Sequence, residues 1–186
     1  MTQEIIRNSR TGATWPLVHG ALLEKLSEYD GKATTFLGEA EAMFSGPDDY
    51  LDALVELVGE PNGNLANGAS WLIKSAIEKG MVLSEEQTEA LIAQLPAMTD
   101  WAAQLHICQS MRRLDVKAKR AHDVASWLTG FLDHNRPFLR AWSLDAFGAL
   151  AETHREFADA FNAALSHAQH DQAAFVRARA RHIAPI

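Results

Sequence analysis

Apolar residues recur along this chain at intervals of three and four, and clusters of turn-forming residues separate the runs. Leu17, Ala21, Leu22 and Leu26 follow Pro16 at helical spacing, and Asp30-Gly31 closes that run. The pattern predicts a second helix from about Thr34 to Phe44, stopped by Ser45-Gly46-Pro47. Asp48 is placed to cap a third, in which Leu51, Leu54, Val55 and Val58 share a face. Gly59 to Asn64 reads as turn. Ser84 and Gln87 have capping-box spacing ahead of Leu91, Ile92 and Leu95. Asp115, Asn135 and Asp171 each precede a further amphipathic run. No alternating segment of strand length lies between turn signals, so the expected fold class is all-α. Residues 1–14 have no period and are expected to form an N-terminal arm, with 15–186 as a single domain.

The runs also repeat. Leu65, Trp101, Leu139 and Val176 can be laid over one another as helix anchors, 36, 38 and 37 residues apart. Four places on stand Ala69, Leu105, Ser143 and Ala180. Seven places on stand Leu72, Cys108, Ala146 and Ile183, and eight places on Ile73, Gln109, Phe147 and Ala184. Offsets of 0, 4, 7 and 8 trace one stripe on a helix, so each anchor, Trp101 included, is expected in the core. A partner run precedes three of these helices, near 84–95, 117–133 and 153–168. Each period therefore reads as an antiparallel helix pair, and stacked pairs would share a continuous core as a solenoid. An irregular helical bundle is the alternative.

The segments FLRAWSLDAFGAL (138–150) and FVRARARHIA (175–184) resemble the second helix of a HEAT repeat. There a Val or Leu is followed directly by Arg and then by small residues at helical spacing, as in Leu139-Arg140 and Val176-Arg177. Ala66 and Ala102 occupy the Arg position in the two earlier units. The resemblance covers about residues 48–184 and is strongest after 117. It implies an α-α superhelix, a HEAT-like helical-hairpin solenoid, whose second helices line a concave side. It implies no particular activity.

Composition narrows the functional classes. Hydrophobic residues make up 47% and charged residues 22%, a globular balance. Cys108 is the one cysteine and lies in an apolar helical run, which predicts a buried, inert thiol and fits a reducing compartment. With no apolar run of membrane-spanning length and no secretory pattern at the start, a cytoplasmic protein is expected. Residues 1–100 hold 16 acidic and 6 basic side chains, a net of −10. Residues 101–186 hold 8 and 11, a net of +3, which gives −7 for the whole chain. A pI near 5.6 argues against a nucleic-acid module, although Arg112, Arg113, Lys117, Lys119 and Arg120 cluster, as do Arg136, Arg140, Arg177, Arg179 and Arg181.

Candidate chemistry is sparse. His167 and His170, three apart beside Asp171, have ligand spacing but lack a matching third donor, and equally fit a helix C-terminus. No metal and no cofactor is expected. Asp145 sits inside a small-residue helix and admits three readings: a rung of an inter-repeat ladder with Arg177, an exposed acid, or a site residue. Trp142 falls off the core stripe, either packing between units or facing a groove. These readings converge on a non-enzymatic scaffold that binds a peptide or protein partner. The candidate contacts on its concave face are His106, Arg140, Trp142, Asp145, Arg177 and Arg181. The alternative is a nucleic-acid enzyme of the HEAT-like DNA alkylation-repair glycosylase type, with Asp145, Trp142 and Arg140 supplying its residue types.

Overall fold

The computed structural model describes residues 15–46 and 49–186, so the expected arm at 1–14 and the expected cap at Asp48 lie outside the described residues. Among the described residues there are ten α-helices and no strand. They are α1 (Trp15–Ser27), α2 (Thr34–Phe44), α3 (Tyr50–Leu57), α4 (Gly63–Glu78), α5 (Glu85–Gln94), α6 (Trp101–Ser110), α7 (Ala118–Thr129), α8 (Pro137–Thr153), α9 (Ala158–Ala168) and α10 (Ala174–Arg181).

Local chemistry explains several boundaries. Gly31, with φ +80°, makes the turn after α1 in a conformation that β-carbons disfavour. Beside it the Asp30 carboxylate accepts the amide hydrogens of Lys32 and Ala33. Ser84 and Gln87 form the expected reciprocal capping box on α5. Asp100 caps α6 by accepting from Ala102 and Ala103. Pro137 opens α8, where a missing amide hydrogen costs nothing.

The helices pack in two rows. In the even row α2 lies on α4, α4 on α6, α6 on α8 and α8 on α10. In the odd row α1 lies on α3, α3 on α5 and α5 on α7. The rows meet where α1 packs on α2 and α4, α3 on α4, α7 and α9 on α8, and α9 on α10. Apolar residues between the rows form one core, from Leu22 to Ile183. Burying it is the dominant favourable contribution to folding.

The stripe read from the sequence faces that core. Leu72, Cys108, Ala146 and Ile183 are all buried, and burial raises the pKa of the Cys108 thiol. Small residues allow close approach: a β-carbon on Gly68 would meet Leu26, Tyr29 and Leu37 at 3.2 to 3.4 Å. Leu105 and Gln109 are only half-buried, and two further positions depart from the pattern by being exposed. Trp101, expected as a core anchor, is 38% exposed because it is the first residue of α6 and emerges at the edge of the row. Ala184 lies beyond the end of α10 and is exposed.

Several polar bonds between elements span about the same period, although others, such as Arg140 to Asp171 at 31 residues, do not. Asn64 donates to the Tyr29 carbonyl, 35 residues away, and Arg113 to that of Ile77, 36 away. Ser75 donates to Glu41, 34 away, and His154 bonds the Val116 carbonyl, 38 away. Each of these joins a residue to a place about one period along the chain.

Candidate functional site

The even row turns a polar face to solvent, and this is where several of the candidate side chains meet. On α8 one line of positions holds the exposed Phe138 and Glu152 and the half-buried Trp142 and Ala149, with Asp145 among them but only 7% exposed. Their spacing of three and four puts them on one side of the helix.

Asp145 is held from both sides. Arg112, just beyond α6, donates from Nε to its Oδ2 at 3.1 Å and from Nη1 to Glu152 at 3.2 Å. Arg179 of α10 brings Nη1 to 3.8 Å from Oδ1. Burial works against the charge of Arg112, but Asp145 and then Glu152 outweigh it and hold the guanidinium pKa above its ordinary value. This ladder was expected to run through Arg177; the structure places Arg112 and Arg179 there instead. The reason is helical phase. Arg177 directly follows the anchor Val176, so its guanidinium reaches back to the turn before α10 and donates to the carbonyls of Asp171 and Gln172. Arg179 is three places after the anchor, as Trp142 is in α8. Its guanidinium lies over the Trp142 ring, 3.7 Å from the centroid.

Arg140 repeats the Arg177 arrangement and is taken away from Asp145. It is 6% exposed, donates to the His134 carbonyl at 2.6 Å, and clamps Asp171 through Nε and Nη2, both at 2.8 Å. That clamp holds the Asp171 carboxyl below its usual range. Trp142, Asp145 and an arginine are therefore brought together, but the arginine is Arg179. Arg181 is exposed on the last turn of α10, away from this group.

His106 belongs to the junction between α4 and α6. Ser70 spends its hydroxyl hydrogen on the Asn67 carbonyl at 2.9 Å, so at 3.1 Å the His106 Nδ1–H is the donor to Ser70 Oγ. Burial first, and Lys74 second, lower its pKa to about 4, so the ring is neutral at neutral pH. Trp71 is half-buried on the adjoining part of α4.

Two cavities lie elsewhere. One of about 230 Å3 sits beside the Arg140–Asp171 clamp, floored by Leu132, Leu144 and Val176. Another of about 360 Å3 opens between α5 and α7 beside Trp127 and His122. Neither includes Trp142, Asp145 or Arg179. His170 bonds the Ser166 carbonyl at its helix end, and no cluster of three potential metal ligands occurs among the described residues.

Sequence reasoning missed Trp101, Arg112, Arg136 and Arg179 as face residues. A signal for one of them was present: Trp142 and Arg179 occupy the same offset in successive units, and equal offsets on packed helices are neighbours. Arg136, just before α8, lies over the exposed Trp101 ring at 4.1 Å, which follows only from the packing of α8 on α6.

These features define an all-α protein with a mixed-charge, aromatic face. No helix among the described residues is long and apolar enough to cross a membrane. The chain matches no protein-family model, and neither a curated protein nor a solved structure matches it.

Proposed function

We propose that this chain is a HEAT-like α-α solenoid acting as a non-enzymatic scaffold, binding a protein or peptide along the exposed face of its even row. The observation that carries the reading is that Trp142, Asp145 and Arg179 meet across α8 and α10, while Trp71 takes in α4 the offset that Asp145 has in α8. Bonds recurring about one period apart support the solenoid, and aromatic and arginine side chains are the groups that most often anchor protein contacts. The arginine-held Asp145 supports a rigid recognition surface. A cytoplasmic location, with the lone thiol buried and reduced, belongs to the same reading.

The test is selection of displayed random dodecapeptides on the full chain, followed by anisotropy measurements with the winners. Trp71→Ala and Trp142→Ala should each weaken binding by about tenfold, the effect of losing an aromatic anchor. Trp127→Ala, on the odd row, should leave it unchanged. Failure to select any peptide, or sensitivity only to Trp127, would sink the scaffold reading.

The convergence of Trp142, Asp145 and Arg179 also favours a second reading, an enzyme of the DNA alkylation-repair glycosylase type. It requires oligonucleotide binding that survives ~200 mM salt, where contacts to few phosphates are lost. It also requires base excision that disappears in Asp145→Asn.

A further inference from the structure

Arg136 and Arg179 differ from the other arginines described above. Each lies over a tryptophan supplied by the preceding even helix, Trp101 or Trp142, with the guanidinium carbon 4.1 and 3.7 Å from the ring centroid. Stacking fixes the plane of a guanidinium while leaving its edge donors free. Arg136 makes no side-chain hydrogen bond or ion pair among the described residues, and Arg179 makes no side-chain hydrogen bond and has only the 3.8 Å approach to Asp145. Arg112, Arg113, Arg120, Arg140 and Arg177 all spend donors inside the molecule. One row of helices therefore carries two ring-backed guanidiniums with donors to spare, the exposed Arg136 and the half-buried Arg179.

An apolar platform accompanies them. Phe138 and Phe175 are 53% and 37% exposed, with ring centroids 4.4 Å apart. Trp142 is four residues after Phe138 and Arg179 is four after Phe175, so the stack lies about 6 Å further along the helices. That is close to the ~6.8 Å between alternate side chains of an extended strand.

We propose that this face binds an acidic peptide in extended form, with a large apolar side chain on the Phe138–Phe175 pair and carboxylates on Arg179 and Arg136. The proposal rests on the scaffold reading and names its partner. Charge complementarity selects the occupant. Arg136 stands alone on its ring, Arg179 has only the distant Asp145 beside it, and Glu152 lies near that end. A carboxylate needs one fork and carries one charge. A nucleic-acid backbone needs several adjacent cations and would meet those two acids and a net charge of −7.

The test uses the full chain and three fluorescein-labelled probes. One is a dodecapeptide centred on Glu-Ser-Leu-Ser-Glu, one replaces both Glu with Lys, and one is a dodecamer of oligothymidylate. The acidic peptide should bind saturably and change tryptophan emission, while the Lys version should bind at least about tenfold more weakly. Arg136→Gln and Arg179→Gln should each cost about tenfold in affinity with unchanged far-ultraviolet circular dichroism. Arg179→Lys, which keeps the charge and loses the flat fork, should recover only part. Equal binding of both peptides, or indifference to both Gln variants, overturns the proposal. If selected peptides still map to Trp71 and Trp142 in that case, the scaffold reading survives it. Oligothymidylate binding more tightly than the acidic peptide overturns the proposal in favour of nucleic acid. If neither selected peptides nor probes reach this face, the scaffold reading has failed and the proposal falls with it.

Discussion

Two junctions in the even row solve the same packing problem by different chemistry. Between α4 and α6 the buried stripe is large and aliphatic, with Leu72 and Ile73, and the polar contact above it is neutral, Ser70 to His106. Between α8 and α10 the matching positions hold Ala146 and Phe147. Phe147 packs edge-on against Phe161, 6.0 Å between centroids. The polar layer there is ionic, with Arg140 on Asp171 and Arg179 facing Asp145 over Trp142. The first junction derives its specificity from shape and from hydrogen bonds without an ion pair, Ser70 with His106 and Arg113 to the Ile77 carbonyl. The second derives it from charges, and so carries arginines out to the surface. The fold tolerates either because the rows are held by the core beneath, while the layer above is free to differ.

If that division is right, the largest effect belongs to the core. Leu72→Ala gives α4 the residue that α8 already has at this offset, but without a Phe147 beside it to fill the space. It should cost about 3 kcal/mol, within the range for opening a buried cavity, measured by urea unfolding. A loss below about 1 kcal/mol would mean that the junction collapses around small residues as freely as its counterpart does.

A pH titration separates the polar layers. The folded-state pKa of His106 lies at about 4, below its ordinary 6.5. As pH falls from 6.5 the unfolded chain takes up a proton that the fold refuses, so stability drops, and the drop ends near pH 4. Discounted for the partly exposed ring, the contribution is about 2 kcal/mol. His106→Asn should flatten that segment of the stability curve. Asp171 acts lower: its carboxyl is held down by Arg140, so its contribution is complete above its unfolded pKa and is lost as pH falls through its folded one. A curve unchanged by His106→Asn would place the ring in water.

The smallest effect tests the ionic side. Asp145→Ala removes the carboxylate shared by Arg112 and Arg179, yet Arg112 keeps Glu152 and Arg179 keeps the Trp142 ring. With both arginines partly exposed, the cost should be about 1 kcal/mol. A double-mutant cycle with Arg112→Gln should give a clear coupling energy, whereas Asp145 with Arg177→Gln should be additive. Coupling to Arg177 would restore the pairing expected from the sequence.

Much of the fold was legible because it depends on local signals. The ends of α2, the capping box of α5 and the buried identity of Leu72, Cys108, Ala146 and Ile183 follow from turn chemistry and periodicity, which act over a few residues. The face was only partly legible. Trp142 and Asp145 could be picked out as residues off the stripe, but their partners could not. Arg140, two residues from Trp142 in sequence, is consumed by Asp171, while Arg179, a period away, becomes its neighbour.

By itself the sequence determined the helices, their approximate length and the apolar side of each, because hydrophobic phase and caps are properties of short segments. The tertiary structure decided which charges meet, because an arginine side chain is long enough to choose among a turn carbonyl, a carboxylate and a ring. Helical phase sends Arg140 and Arg177 inward to their own turns and brings Arg179 over Trp142. The packing of α8 on α6 alone sets Arg136 on Trp101.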